Sequence, residues 1–161
     1  MLDFYKAHQS LFELERPIVK ARYLDIVKTS EHKDYLIKKM SSNRPSDVVE
    51  VDSLARSCAI RYFDKSQSWI DASALAKEFN TDYLTMLSHL KNNYITFENA
   101  EMSDIKTAYI RDIKRKGVAP FEFCEERIRE YILSDRKREL LVSLEQSLLN
   151  AASDKGQFVI Y

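Results

Sequence analysis

Three histidines, two cysteines and one short basic run are the residues of this chain whose side chains most readily do chemistry. His8, His32 and His89 are scattered, and none pairs with Cys, Asp or Glu at the spacing of a metal site or a catalytic triad. They read as surface or boundary histidines, and no metal is expected. Cys58 and Cys124 lie far apart, without metal-ligand spacing and without a disulfide framework. Cys58 falls on the apolar stripe of a helix and reads as a small buried hydrophobe. Cys124 falls in the first turn of a second helix, where the dipole would lower a thiol pKa. A structural role is the simpler reading for it. Arg136-Lys137-Arg138 is flanked by Asp135 and Glu139, the pattern of a solvated helix face with local ion pairs. Phosphate or client contact is the sharper alternative.

Glycine is the informative absence. The 161 residues hold two, Gly117 and Gly156, where average usage would give roughly eleven. Phosphate-cradling loops and the nucleophile elbow both need glycine for close approach or a strained turn. Two glycines therefore argue against Rossmann, P-loop and hydrolase-elbow chemistry, and no cofactor is expected. Twenty-five basic residues balance 25 acidic ones. Zero net charge argues against bulk attraction to nucleic acid or an anionic membrane. No stretch approaches the ~18 apolar residues of a membrane span. The opening Met1-Leu2-Asp3-Phe4 lacks the basic and apolar regions of a signal peptide. A cytosolic chain, or a mature fragment of a longer one, is expected.

The elements that position these residues follow from spacing. Leu2, Tyr5, His8 and Phe12 recur about once per turn, a short amphipathic helix that Pro17 ends. Ile18 to Val27 is rich in Ile and Val with poor alternation, which suits a strand covered on both faces. Residues 31–42 read as a helix. Asp47 and Glu50, just after Pro45, make a capping-box-like start for another. Its stripe is Val51, Leu54, Ala55, Cys58, Ala59 and Tyr62. Residues 71–79 and 82–91 read as two short helices joined at Asn80-Thr81. Tyr94–Glu98 and Ile105–Ile113 read as strands, the second presenting Ile105, Thr107, Tyr109, Arg111 and Ile113 on one face.

Gly117 and Pro120 punctuate a turn. A helix then runs unbroken from about Phe121 to Ala152, roughly 48 Å long. Its first stripe is Phe121, Cys124, Ile128 and Ile132. Ser134 to Glu139 is a polar waist, and Leu140, Leu141, Leu144, Leu148 and Ala151 form a second stripe. Gln157–Tyr161 reads as a short terminal strand that needs a partner edge. Trp69 to Glu98 imitates a helix-turn-helix with a following hairpin, an alternative nucleic-acid-binding reading. Its would-be recognition helix, Asp82–Lys91, carries one Lys and no Arg, few cations for a phosphate backbone.

The strand Ile18-Val19-Lys20-Ala21-Arg22-Tyr23-Leu24 resembles the opening strand of a parvulin-type peptidyl-prolyl cis-trans isomerase. The helices, the segment Tyr62-Phe63-Asp64, further helix and the strand Lys106–Ile113 continue the likeness. The ending resembles the SurA-like chaperones of the periplasm, in which a parvulin unit is followed by a long helix and a terminal strand. Here the matching residues are Ile128-Arg129-Glu130-Tyr131-Ile132-Leu133-Ser134-Asp135-Arg136-Lys137-Arg138-Glu139-Leu140 and Phe158-Val159-Ile160-Tyr161. The resemblance implies an α+β fold: a parvulin-like small antiparallel sheet with helices, then a long C-terminal helix and short terminal strand. The implied parts are a connector helix at 1–16, a parvulin-like domain at 17–119, and a chaperone-type helix with strand at 120–161.

The family's histidine slots hold other residues. Tyr23 stands in the first strand, while Thr107 and Tyr109 stand where the last strand carries a glycine and a histidine. Asp64 meets the family's Asp/Cys position, and the Gly-Gly turn after it is absent. The implied catalytic positions are Tyr23, Asp64 and Tyr109, with Tyr23 and Tyr109 placed to keep a hydrogen bond between neighbouring strands. The implied function is a periplasmic folding factor for unfolded or outer-membrane client polypeptides, with weak or absent isomerase activity. An active prolyl isomerase is the alternative. Leu140, Leu144, Leu148, Phe158 and Ile160 form the implied client-binding or assembly surface. Its expected occupants are clients, an upstream core region absent from this sequence, or a second copy of the chain. No nucleic acid and no small-molecule cofactor are expected partners.

Overall fold

The extended and amphipathic patterns assemble into an α+β fold in a computed structural model, which describes residues 1–98 and 103–154. Strands β1 (Ile18–Val27), β2 (Arg61–Asp71), β3 (Tyr94–Phe97) and β4 (Asp104–Lys114) form one antiparallel sheet, ordered β2-β1-β4-β3. β1 is a central strand with apolar clusters on both faces, which accounts for its nearly continuous burial. Helices α2 (Lys33–Lys39) and α3 (Pro45–Cys58) cover one face, against Leu24, Ile26 and Ile105. Helices α4 (Ala72–Glu78) and α5 (Tyr83–His89) cover the other, against Val19, Ala21, Tyr23, Ala108 and Ile110.

Caps punctuate the second helical pair. Asp71 accepts from the Ser73 amide at 2.7 Å, and Asp82 from the Thr85 amide at 2.9 Å. Between them Asn80 takes a left-handed φ of 53°, a conformation asparagine tolerates better than most residues. Pro45 opens α3, ahead of the start expected at Asp47. The capping box does not form there: Asp47 instead accepts from Lys39 Nζ at 3.0 Å and Ser42 Oγ at 2.6 Å.

The apolar stripe predicts α3 through Tyr62, but the helix stops at Cys58 and β2 starts at Arg61. Pairing with β1, from Asp25↔Arg61 to Ile18↔Asp71, outweighs a helical period at these residues. β2 lies at the sheet edge and is mostly half-buried, so it shows no clean alternation in sequence. The β4 face was also misassigned at its end. A bulge between the Lys20↔Asp112 and Ala21↔Ile110 rungs skips Arg111. Tyr109 and Ile105 therefore pack on the α2/α3 side, while Ile113 packs on the α4/α5 side.

The contacts divide the chain into two units, residues 13–123 and residues 1–12 with the chain from Cys124 onward. The first holds the sheet and α2–α5. In it Gly117 takes a φ of +91°, which favours glycine, and its carbonyl accepts from the Leu14 amide. The second unit holds α1 (Leu2–Ala7), a 3-10 turn at Gln9–Phe12 and α6 (Phe121–Asp154) from Cys124 onward. Phe12, Cys124 and Ile128 are fully buried. Tyr131 meets the Phe12 ring edge-on at 6.0 Å, and Arg127 donates to the Leu11 carbonyl at 3.1 Å. At 34 residues α6 is about 51 Å long. The expected strand at 157–161, with Phe158 and Ile160, lies outside the described residues.

Candidate functional site

Strand register places Tyr23, Asp64 and Tyr109. Tyr23 faces Phe63 of β2 and Ala108 of β4. Arg22, one residue earlier and so on the other face, is the rung partner of both Asp64 and Tyr109. The sheet thus brings Asp64, Arg22 and Tyr109 to the α2/α3 face and puts Tyr23 on the α4/α5 face. The two phenols do not meet.

Tyr23 is fully buried. Its ring stacks on Phe63 at 5.2 Å and meets Phe79 edge-on at 5.2 Å. Its hydroxyl donates to the Glu78 carbonyl at 2.9 Å. Burial, reinforced by the nearby Asp25 and Glu78 carboxylates, pushes the phenol well above its ordinary pKa. It stays protonated and acts as a donor. The slot beside it is filled by aromatic side chains.

Asp64 is tied down from two sides. Its Oδ2 accepts from Arg22 Nε at 2.8 Å, and its Oδ1 from the Ser66 amide at 2.7 Å. Burial alone would raise this carboxyl, but the Ser66 hydrogen bonds and the Arg22 guanidinium hold it below the usual carboxylate range. Tyr109 packs its ring 5.3 Å from Tyr94 of β3.

Arg22 is the residue that sequence reading passed over. Only 2% exposed, it also donates through Nη1 to the Met40 and Ser42 carbonyls at 2.8 and 2.6 Å. One guanidinium thus joins β1, β2 and the α2–α3 connection. The Ser42 hydroxyl extends the network to Asp47, and Asp47 to Lys39. The signal was present: an arginine in the middle of a strand buried on both faces must find acceptors.

On α6, Leu140, Leu144 and Leu148 stand one turn apart and are 71%, 55% and 62% exposed, with Leu141 beside them. Elsewhere a shallow open groove between α2 and β3 is lined by Ile37, Lys38, Ser41, Tyr94 and Thr96. Among the described residues no cluster of three or more His, Cys, Asp or Glu side chains is arranged to hold a metal ion. Among them, too, no helix is long and apolar enough to cross a membrane. Helix α5 carries neither Lys nor Arg and turns Met86 into the core.

No family model matches the chain, and no curated protein is similar to it. Among solved structures it is similar to a chain from the SurA-like chaperones of Campylobacter jejuni, the virulence factor PEB4 and the periplasmic protein Cj1289. Identity is 16%, the TM-score is 0.41, and the match covers 99% of this chain. It spans 62% of that chain's length. A likeness at this level transfers no residue role and no activity.

Proposed function

We propose that this chain is a folding factor of the periplasm or cell envelope that holds unfolded polypeptides, outer-membrane clients among them, with weak or absent prolyl isomerase activity. The observation that supports this is the leucine face of α6, where Leu140, Leu144 and Leu148 stay more than half exposed. Contiguous apolar surface of this kind marks interaction sites. Burying a leucine yields about 1.5–3 kcal/mol, so three of them give reversible holding of an extended chain. A prolyl ring needs an apolar slot beside the twisting amide, and the space beside Tyr23 is taken by Phe63 and Phe79. The proposed division is a connector at 1–16, a parvulin-like domain at 17–119 and a chaperone-type helix with terminal strand at 120–161. Phe158 and Ile160 extend the binding surface.

Two assays test the reading. The chain suppresses aggregation of a denatured, reduced client, and the triple variant L140D/L144D/L148D does not. Equal suppression by both would refute the leucine face. In a protease-coupled assay on a short X–Pro peptide, no rate above background is expected. A clear rate that Tyr109→Phe abolishes would establish the isomerase alternative, with Tyr23, Asp64 and Tyr109 at its site. A second copy, or a core region from a longer chain, would occupy the same leucines, and light scattering of the chain at rising concentration separates self-association from client holding.

A further inference from the structure

We propose that buried Asp25 keeps a proton against the neighbouring Asp104 carboxyl at the end of the β1–β4 ladder, so that this end of the sheet tightens in mild acid and loosens when the proton leaves. Asp25 is 6% exposed, and its Oδ1 has no hydrogen-bond partner among the described residues. The side chain of Asp104 lies within hydrogen-bonding reach of it. The register explains why: Asp25 pairs with Lys106, and Val27 with Asp104, so the two carboxyls are diagonal neighbours on one face.

Among the described residues, one cation reaches Asp25. Lys106 Nζ is 3.5 Å from Asp25 Oδ2 and also donates to the Glu78 carbonyl of α4 at 3.3 Å. Arg61 of β2 is the rung partner of Asp25, but its guanidinium is engaged by the Glu78 carboxylate, at 2.6 Å through Nη2. Tyr23, the other titratable group on this stretch of β1, donates to the Glu78 carbonyl. Lys28, just beyond β1, pairs with Glu98. Asp25 therefore has one lysine, itself shared with the Glu78 carbonyl, and a second carboxyl beside it. Two carboxylates in contact cannot both ionise at ordinary pH. A proton on one supplies a donor for the other. Burial, opposed by Lys106 and aided by Asp104, raises the Asp25 carboxyl in agreement with this.

The mechanical consequence falls on the last rungs. Beyond Val27↔Asp104 the ladder closes with the Lys28 amide donating to the Ser103 carbonyl at 2.9 Å. Ionisation of both carboxyls sets like charges against each other directly beside that bond.

Carboxyl-carbon NMR titration of the whole chain, with amide exchange at Lys28, is the test. The expected result is an Asp25 titration above the ordinary aspartate value of 3.8, with Lys28 protection, corrected for intrinsic exchange, falling across that step. In Asp104→Asn the Asp25 step moves down and the change in Lys28 protection is lost. Titration of Asp25 at or below the ordinary value would overturn the proposal. So would an Asp25 step, or a pH-dependent Lys28 protection, that persists unchanged in Asp104→Asn.

Discussion

Tyr23 and Tyr109 stand on adjacent strands of one sheet and face opposite ways. Tyr23 has Ala108 as its rung partner, and Tyr109 has Arg22. Each phenol belongs to a different apolar cluster. Residues so separated contribute independently. Tyr23→Phe removes the hydrogen bond to Glu78 and costs about 0.5–1.5 kcal/mol. A double-mutant cycle with Tyr109→Phe, read by urea unfolding, should return a coupling energy under about 0.5 kcal/mol. A larger coupling would mean that the two hydroxyls communicate.

The Arg22 network is the most sensitive polar feature of the sheet unit. Arg22→Ala strands the Asp64 carboxylate and leaves the Met40 and Ser42 carbonyls without this donor. Breaking a buried pair in this way costs about 3–5 kcal/mol. Arg22→Lys should recover little of it, because an ammonium cannot reproduce the guanidinium fork that reaches Asp64 and two carbonyls at once. Denaturant midpoints at constant m-value check both variants.

Acid dependence separates two aspartates. Asp64 is held below its ordinary value of 3.8, so its contribution is present above that pH and is lost as pH falls through its lower, folded-state value. Asp25 is raised above 3.8, so its contribution is present below that pH and is lost as pH rises through its higher value. Thermal melts of Asp64→Asn should lose sensitivity on the acid side of 3.8, and those of Asp25→Asn on the other side. Matching pH profiles for the two variants would contradict the assignment.

Charged substitutions on the exposed leucines of α6 should leave the fold intact. Leu144→Asp and Leu148→Asp remove no buried contact, and surface changes of this kind fall within about 0.5 kcal/mol. Melting temperatures unchanged beside the loss of client holding would identify the stripe as a binding surface. A steep fall in melting temperature would show that the leucines pack in solution.

Gly117 tests the turn. No atom lies within 4 Å of the place a Cβ would occupy, so Gly117→Ala meets no clash. Its φ of +91° still penalises an L side chain, by about 1 kcal/mol or more. Gly117→Asn should cost less than Gly117→Ala, because asparagine visits positive φ more readily. Equal stability of all three would mean that the turn relaxes.

The resemblance implies the α+β class; local pattern specifies the central strand Ile18–Val27, the two short helices around Asn80, and the single long helix with its second leucine stripe. Each of these is local: hydrophobic period, caps, turn residues and the lack of breakers settle them within a window of a few turns. Tertiary structure alone decided that residues 61–71 pair as an edge strand, that a bulge moves Ile113 away from the face of Tyr109, and that Tyr23 and Tyr109 part company. It also decided that Arg22 becomes the buried hub of a polar network and that Asp25 meets Asp104. These depend on register between strands distant in sequence. A shift of one residue sends a side chain to the opposite face, and no property of either strand alone records which rung it will occupy.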